Sequence, residues 1–133
     1  MHPKMPGAAL LGLLMPLVAF AAPAPHIETT TALVHAGMAM AAQNLPDARK
    51  HLHHVINCLV AADDKRFDAK AGNPCEGMGT DAGALHDEAS TDARKLELKR
   101  ALGIAERGAH SASLDTAHVY AEWLSEVLQR AGS

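Results

Sequence analysis

Residues 43–60, "QNLPDARKHLHHVINCLV", decide the fold of this 133-residue chain. The stretch opens as a turn and continues as a helix. Asn44 offers a side-chain oxygen to cap the helix, Pro46 sits in the first turn, where a missing N–H costs nothing, and Asp47 faces the positive end of the helix dipole. Leu52, Val55, Ile56 and Leu59 then recur at spacings of three and four and define one apolar stripe running to about Ala62. A helix with a single stripe has to bury it against neighbours, and the flanking sequence supplies them.

Upstream, Glu28 to Gln43 places Ile27, Thr31, Val34, Met38, Ala41 and Leu45 at helical spacing and predicts a first helix. Downstream, "DDKRFDAKAGNPCEGMGT" (63–80) is dense in Gly, Pro, Asn and Asp, which predicts an ordered crossing loop from which Phe67 plugs the core. A third helix is expected from about Asp81 to Arg107, with Leu85, Ala89, Ala93, Leu96 and Gly103 along one face; "ASTD" near Ser90 can begin it afresh. Ser113 suits the cap of a fourth helix from Leu114 to about Arg130, with Leu114, Ala117, Ala121, Leu124 and Leu128 facing inward. Abundant Ala and Leu and few β-branched or aromatic residues agree with an all-α chain. Two short turns and one longer loop make an up-down-up-down four-helix bundle the simplest architecture, its loop between helices two and three pinned by a disulfide.

The first residues, "MHPKMPGAALLGLLMPLVAFAAPAP", contain one Lys4, an apolar run from Ala8 to Phe20 and small residues fitting cleavage after Ala21. Residues 1–21 therefore read as a secretory signal peptide and 22–133 as a single helical domain, periplasmic or secreted, with no membrane span. Loss of Lys4 from 12 basic against 15 acidic side chains leaves the mature chain acidic, and aromatic residues are only 3% of the sequence. Nucleic acid is excluded on both counts, for want of phosphate-neutralising charge and of rings to stack on bases.

Two cysteines, Cys58 and Cys75, accompany the export signal, and in an oxidising compartment such a pair is expected to bridge. The bridge would tie the crossing loop to the helix before it; the competing reading is a pair of thiolate metal ligands.

The histidines carry the only chemistry in the sequence. On helical wheels at 100° per residue, His35, His51, His86 and His118 each fall beside the apolar stripe of their own helix, whereas His53 and His54 point farther round. Height then discriminates. At about 1.5 Å per residue, His35 lies about 14 Å from the end of the bundle that carries the two short turns, His51 and His118 about 10 Å, and His86 nearly 40 Å. His35, His51 and His118 thus form the expected layer, with His54 and Met38 close in height; three converging imidazoles bind Zn²⁺ or Cu²⁺, and an added thioether favours Cu⁺. The competing reading is a set of unrelated, hydrogen-bonded histidines at helix flanks.

The stretches "HLHHVINCLV" and "GNPCEGMG", separated by "FDAKA", resemble a pattern found in small, uncharacterised exported bacterial proteins, over about Ala32 to Leu85. The resemblance implies a bacterial periplasmic setting and a cysteine pair and histidine cluster that belong to one unit. It brings no activity with it.

Catalytic signatures are missing: there is no C-x-x-C-H, H-E-x-x-H or G-x-S-x-G, no phosphate-binding Gly loop and no paired Glu-x-x-His. The sequence therefore reads as a non-enzymatic, metal-binding or metal-buffering periplasmic bundle for copper or zinc. Two alternatives remain. One is a metal-free interaction bundle that docks or self-associates through Val119, Trp123 and Val127, a second stripe on the last helix that also reads as extra core. The other is a non-covalent haem bundle using Met38 and His118, which the scarcity of aromatic residues argues against.

Overall fold

A computed structural model describes residues 26–79, 81–87 and 90–133, so the expected signal peptide and cleavage site lie outside the described residues. Four helices follow in order: α1 (Ile27–Ala41), α2 (Leu45–Leu59), α3 (Asp92–Ala109) and α4 (Leu114–Gly132), with a single 3-10 turn at Ala84–His86 before α3. There is no strand among the described residues. The strongest packing joins α1 to α2, α2 to α3, α3 to α4 and α4 back to α1, the closed ring of an up-down-up-down bundle. No described helix is long and apolar enough to cross a membrane.

Three helix starts use the same device. Asn44 Oδ1 accepts from Asp47 N at 2.9 Å, Thr91 Oγ1 from Arg94 N at 3.2 Å and Ser113 Oγ from Thr116 N at 3.2 Å. The expected third helix from Asp81 is corrected by the second of these: the fresh start at "ASTD" prevails, and α3 begins at Asp92. An α-helix cannot run on from Asp81, because Asp81 and Gly83 both hold positive φ, 60° and 77°. Gly83 is also pressed onto the end of α2. A Cβ there would lie 2.6 Å from the Val60 carbonyl carbon.

The large core side chains are Leu52, Ile56 and Leu59 of α2, Leu98 of α3, and Leu124 and Leu128 of α4. On α1 the inward face differs from the expected one. Ala32, Ala36 and Ala39 are fully buried, whereas Ile27, Val34 and Met38 are 47%, 51% and 43% exposed. The physical reason is room: an alanine stripe lets α1 settle closely against both α2 and α4, and the bulkier stripe is left outside. A similar rotation puts Leu96 of α3 outside and Leu98, Ala101, Leu102 and Ala105 inside. At Gly108 the same economy of space operates, since a Cβ would lie 2.9 Å from Tyr120 Cβ and 3.0 Å from Leu52 Cδ1.

The crossing loop is fastened at three successive points of α2. Cys58 and Cys75 form a buried disulfide with Cα atoms 5.2 Å apart. Asn57, almost fully buried, donates from Nδ2 to the carbonyls of Asp68 (2.8 Å) and Gly72 (2.7 Å) and accepts from Asp68 N (2.9 Å), which satisfies its whole amide. Phe67 packs against the core from this loop, as its sequence position suggested. The third point is His54, one turn before Asn57, whose Nε2 lies 2.7 Å from the Ala71 carbonyl oxygen.

One buried charge ties helix ends together. Arg94 donates from Nη1 to the Ala131 carbonyl (2.8 Å) and from Nη2 to Thr29 Oγ1 (2.7 Å), linking the start of α3 to the end of α4 and the start of α1. Burial lowers its pKa, with Asp87 and Glu28 opposing.

Candidate metal centre

α1 and α2 lie side by side, and their facing flanks carry three histidines. His51 and His54 are one turn apart on α2, which puts both rings on the same side of that helix, and His35 reaches them from α1. His35 Nδ1 is 3.2 Å from His51 Nδ1 and 3.2 Å from His54 Nδ1. The ring centroids are 5.4 Å apart for His35 and His51, 4.6 Å for His35 and His54, and 5.5 Å for His51 and His54. One nitrogen from each ring lies within 4.8 Å of the others, so the three can hold a metal ion; they form the only such group of three or more His, Cys, Asp or Glu among the described residues.

The Ala71 carbonyl fixes the chemistry of His54. A carbonyl oxygen only accepts, so His54 Nε2 carries the proton, and in the neutral ring Nδ1 is left as a lone pair turned toward His35. The proton in the His35–His54 contact therefore belongs to His35 Nδ1, which faces His51 Nδ1 at the same distance. One N–H is shared between two lone pairs. Three basic nitrogens converge with a single proton among them, an arrangement that could hold a cation.

Electrostatics favour the neutral form of His35 and His51. Burial, followed by the nearby His54 and His51, lowers the His35 pKa to about 4. Burial, then His54 and Lys50, also lowers that of His51, against an opposing pull from Asp47. Neutral imidazole is the ligand form, so at neutral pH these two rings bring no extra proton to be expelled; for Nδ1 of His35 to ligate, its single proton moves to Nε2.

The expected layer is partly redrawn. The structure brings together His35, His51 and His54. His118, expected as the third member, instead places Nε2 3.0 Å from the Ala42 carbonyl at the end of α1. The height estimate put His118 near the correct end of the bundle; what it lacked was the rotation of α4, which turns that ring toward the link between α1 and α2. His54, expected beside the layer as a neighbour close in height because it points away from the centre of its helix's apolar stripe, is a full member of the group. A metal site at a helix flank does not need that centre, and the three-residue step from His51 was the signal for it. Met38 follows His35 by one turn but is 43% exposed.

Two other histidines lie beside carboxylates away from this cluster. His53 Nδ1 lies 3.7 Å from Asp68 Oδ2, with its ring 6.3 Å from that of His110. His26 Nδ1 lies 2.8 Å from Asp87 Oδ2.

On α4, Val119 and Trp123 are 44% and 52% exposed, and Tyr120 meets Trp123 edge-on with centroids 5.7 Å apart. Val127, expected on the same surface, is only 6% exposed and belongs to the core, because it stands beside Leu128 where α4 turns inward.

Comparison with protein-family models, with curated proteins and with solved structures gives no match to this chain.

Proposed function

We propose that this protein binds a transition-metal ion, zinc or copper, at His35, His51 and His54, and that it buffers or senses that ion outside the cytoplasm. The observation that carries the reading is the convergence of three Nδ1 atoms, two contacts at 3.2 Å, in rings whose outer nitrogen is, at His54, held by a backbone carbonyl. An imidazole oriented through its second nitrogen is the usual condition of a metal-binding histidine. Export to the periplasm or beyond is supported by the Cys58–Cys75 bridge, which persists only in an oxidising compartment.

The test is calorimetric titration of the oxidised protein with Zn²⁺ and with Cu²⁺, beside a variant in which His35, His51 and His54 are all replaced by alanine. Saturable one-to-one binding at micromolar affinity or tighter is expected in the native protein and its loss in the variant. Weak binding of equal strength in both would defeat the proposal.

A further inference from the structure

The spacing of the three donors says more about the ion than that one can bind. In a tetrahedral site with metal–nitrogen bonds of about 2.0–2.1 Å, neighbouring nitrogens are about 3.3 Å apart, whereas neighbouring nitrogens of a square plane with the same bonds are about 2.9 Å apart. His35 Nδ1 stands 3.2 Å from each of its partners. Two edges of the donor triangle therefore lie nearer the tetrahedral value than the square-planar one. That spacing suits Zn²⁺, which has no geometric preference of its own and takes four ligands, better than Cu²⁺, which favours the tetragonal arrangement. All three donors are imidazole nitrogens; the two cysteines are consumed in the disulfide.

Three corners of a tetrahedron are thereby supplied by the chain, and no fourth His, Cys, Asp or Glu joins the group among the described residues. All three rings are only half-buried, so the remaining corner faces out of the helix pair. Charge points the same way. Neutral imidazoles leave the full double charge of the ion uncompensated, and a fourth ligand that is anionic relieves it. Three protein ligands with one position left for an outside molecule is the arrangement of zinc sites that exchange a ligand, not of closed structural ones.

We infer that the site is a tetrahedral zinc site of three histidines whose fourth position is filled from solution by water or a small anion. This rests on the metal-binding reading above and deepens it. Zinc is spectroscopically silent, so the experiment uses Co²⁺, which takes the same geometry, added to the oxidised full-length protein with the His35→Gln variant as control.

Intense visible bands of four-coordinate cobalt are expected, lost when one equivalent of Zn²⁺ is added and absent in His35→Gln. Azide or thiocyanate should then shift the bands saturably. Weak bands of six-coordinate cobalt would overturn the tetrahedral assignment, and so would a Co²⁺ signal that Zn²⁺ cannot displace. Intense bands that ignore both anions would overturn the exchangeable fourth position. Each of those failures leaves one-to-one binding in the calorimeter intact. Absence of any heat or band with Zn²⁺, Cu²⁺ or Co²⁺ would instead bring down the metal reading itself, and this inference with it.

Discussion

Asn57→Asp is the sharpest perturbation of the frame that holds His54. The substitution keeps shape and volume but exchanges two donors for an acceptor. In the native protein Nδ2 donates to the carbonyls of Asp68 and Gly72 at 2.8 and 2.7 Å, at a residue only 2% exposed. A carboxylate oxygen in that place would confront two carbonyl oxygens at contact distance. Two buried acceptors would lose their donor, at about 1–3 kcal/mol each, and only the bond from Asp68 N would survive. We expect a loss of about 3–5 kcal/mol at pH 7. The introduced carboxyl would respond by holding a proton, its folded pKa raised by burial and by the facing carbonyls, and that proton would serve one carbonyl of the two. A folded-state pKa raised above about 3.9 means that the folded variant binds more protons than the unfolded one in the interval between those values, so the deficit relative to wild type shrinks as pH falls through it. Urea unfolding with the disulfide intact, at pH 7 and pH 5, measures both effects. With a slope of about 1–3 kcal/mol per molar, the midpoint at pH 7 should fall by roughly 2 M. A loss below about 1 kcal/mol, or a deficit that widens toward acid, would refute the assignment of Asn57 as a fully engaged clamp.

Three other outcomes follow from the same structure. Replacing Cys58 and Cys75 together by alanine opens a loop of 17 residues in sequence separation and should cost about 3 kcal/mol; with one of the three fastenings of the loop gone and Ala71 held less firmly against His54, zinc affinity should also fall, by up to roughly 10-fold. An unchanged titration isotherm would show that the loop does not orient the ring. Arg94→Met leaves Thr29 Oγ1 and the Ala131 carbonyl without their donor and should lower stability by about 1–3 kcal/mol, and a variant as stable as wild type in urea would remove Arg94 from the account of how the helix ends are joined. The third concerns acid. His35 falls to about 4 and His51 is also lowered, from ordinary values near 6.5, so between those limits the unfolded chain binds more protons than the folded one. The contribution of these two rings to the stability of the metal-free protein should be lost as pH drops from about 6.5 to about 4, so the decline over that interval should be shallower in the His35→Gln, His51→Gln double variant; equal slopes in thermal melts would contradict it.

How much of this was legible in the sequence differs from helix to helix. α2 could be read directly, because its large side chains all lie on one stripe and its start is written in Asn44, Pro46 and Asp47. α1 could not, because it carries two stripes and hydrophobicity favours the bulkier, whereas packing against two neighbours favours Ala32, Ala36 and Ala39. The disulfide was legible from compartment and number. The start of α3 depended on backbone conformation at Asp81 and Gly83, which composition only hints at. For the site, wheel and height put His35, His51 and His54 near one level, but the azimuth of α4 depends on contacts with α1 that no single-helix wheel contains, and His118 turns to the Ala42 carbonyl instead.

The three donors are close in the chain as well as in space. Only 16 residues separate His35 from His51 and 19 separate it from His54, and all lie in the α1–α2 hairpin, ahead of the crossing loop, α3 and α4. Closing so short a segment costs little chain entropy, so a metal can grip this hairpin while the rest of the polypeptide is still unfolded. An ion that also binds the denatured ensemble stabilises the native state by less than its native affinity implies. If zinc binds as proposed, melting temperature should therefore rise with added zinc more gently than the binding constant alone would give.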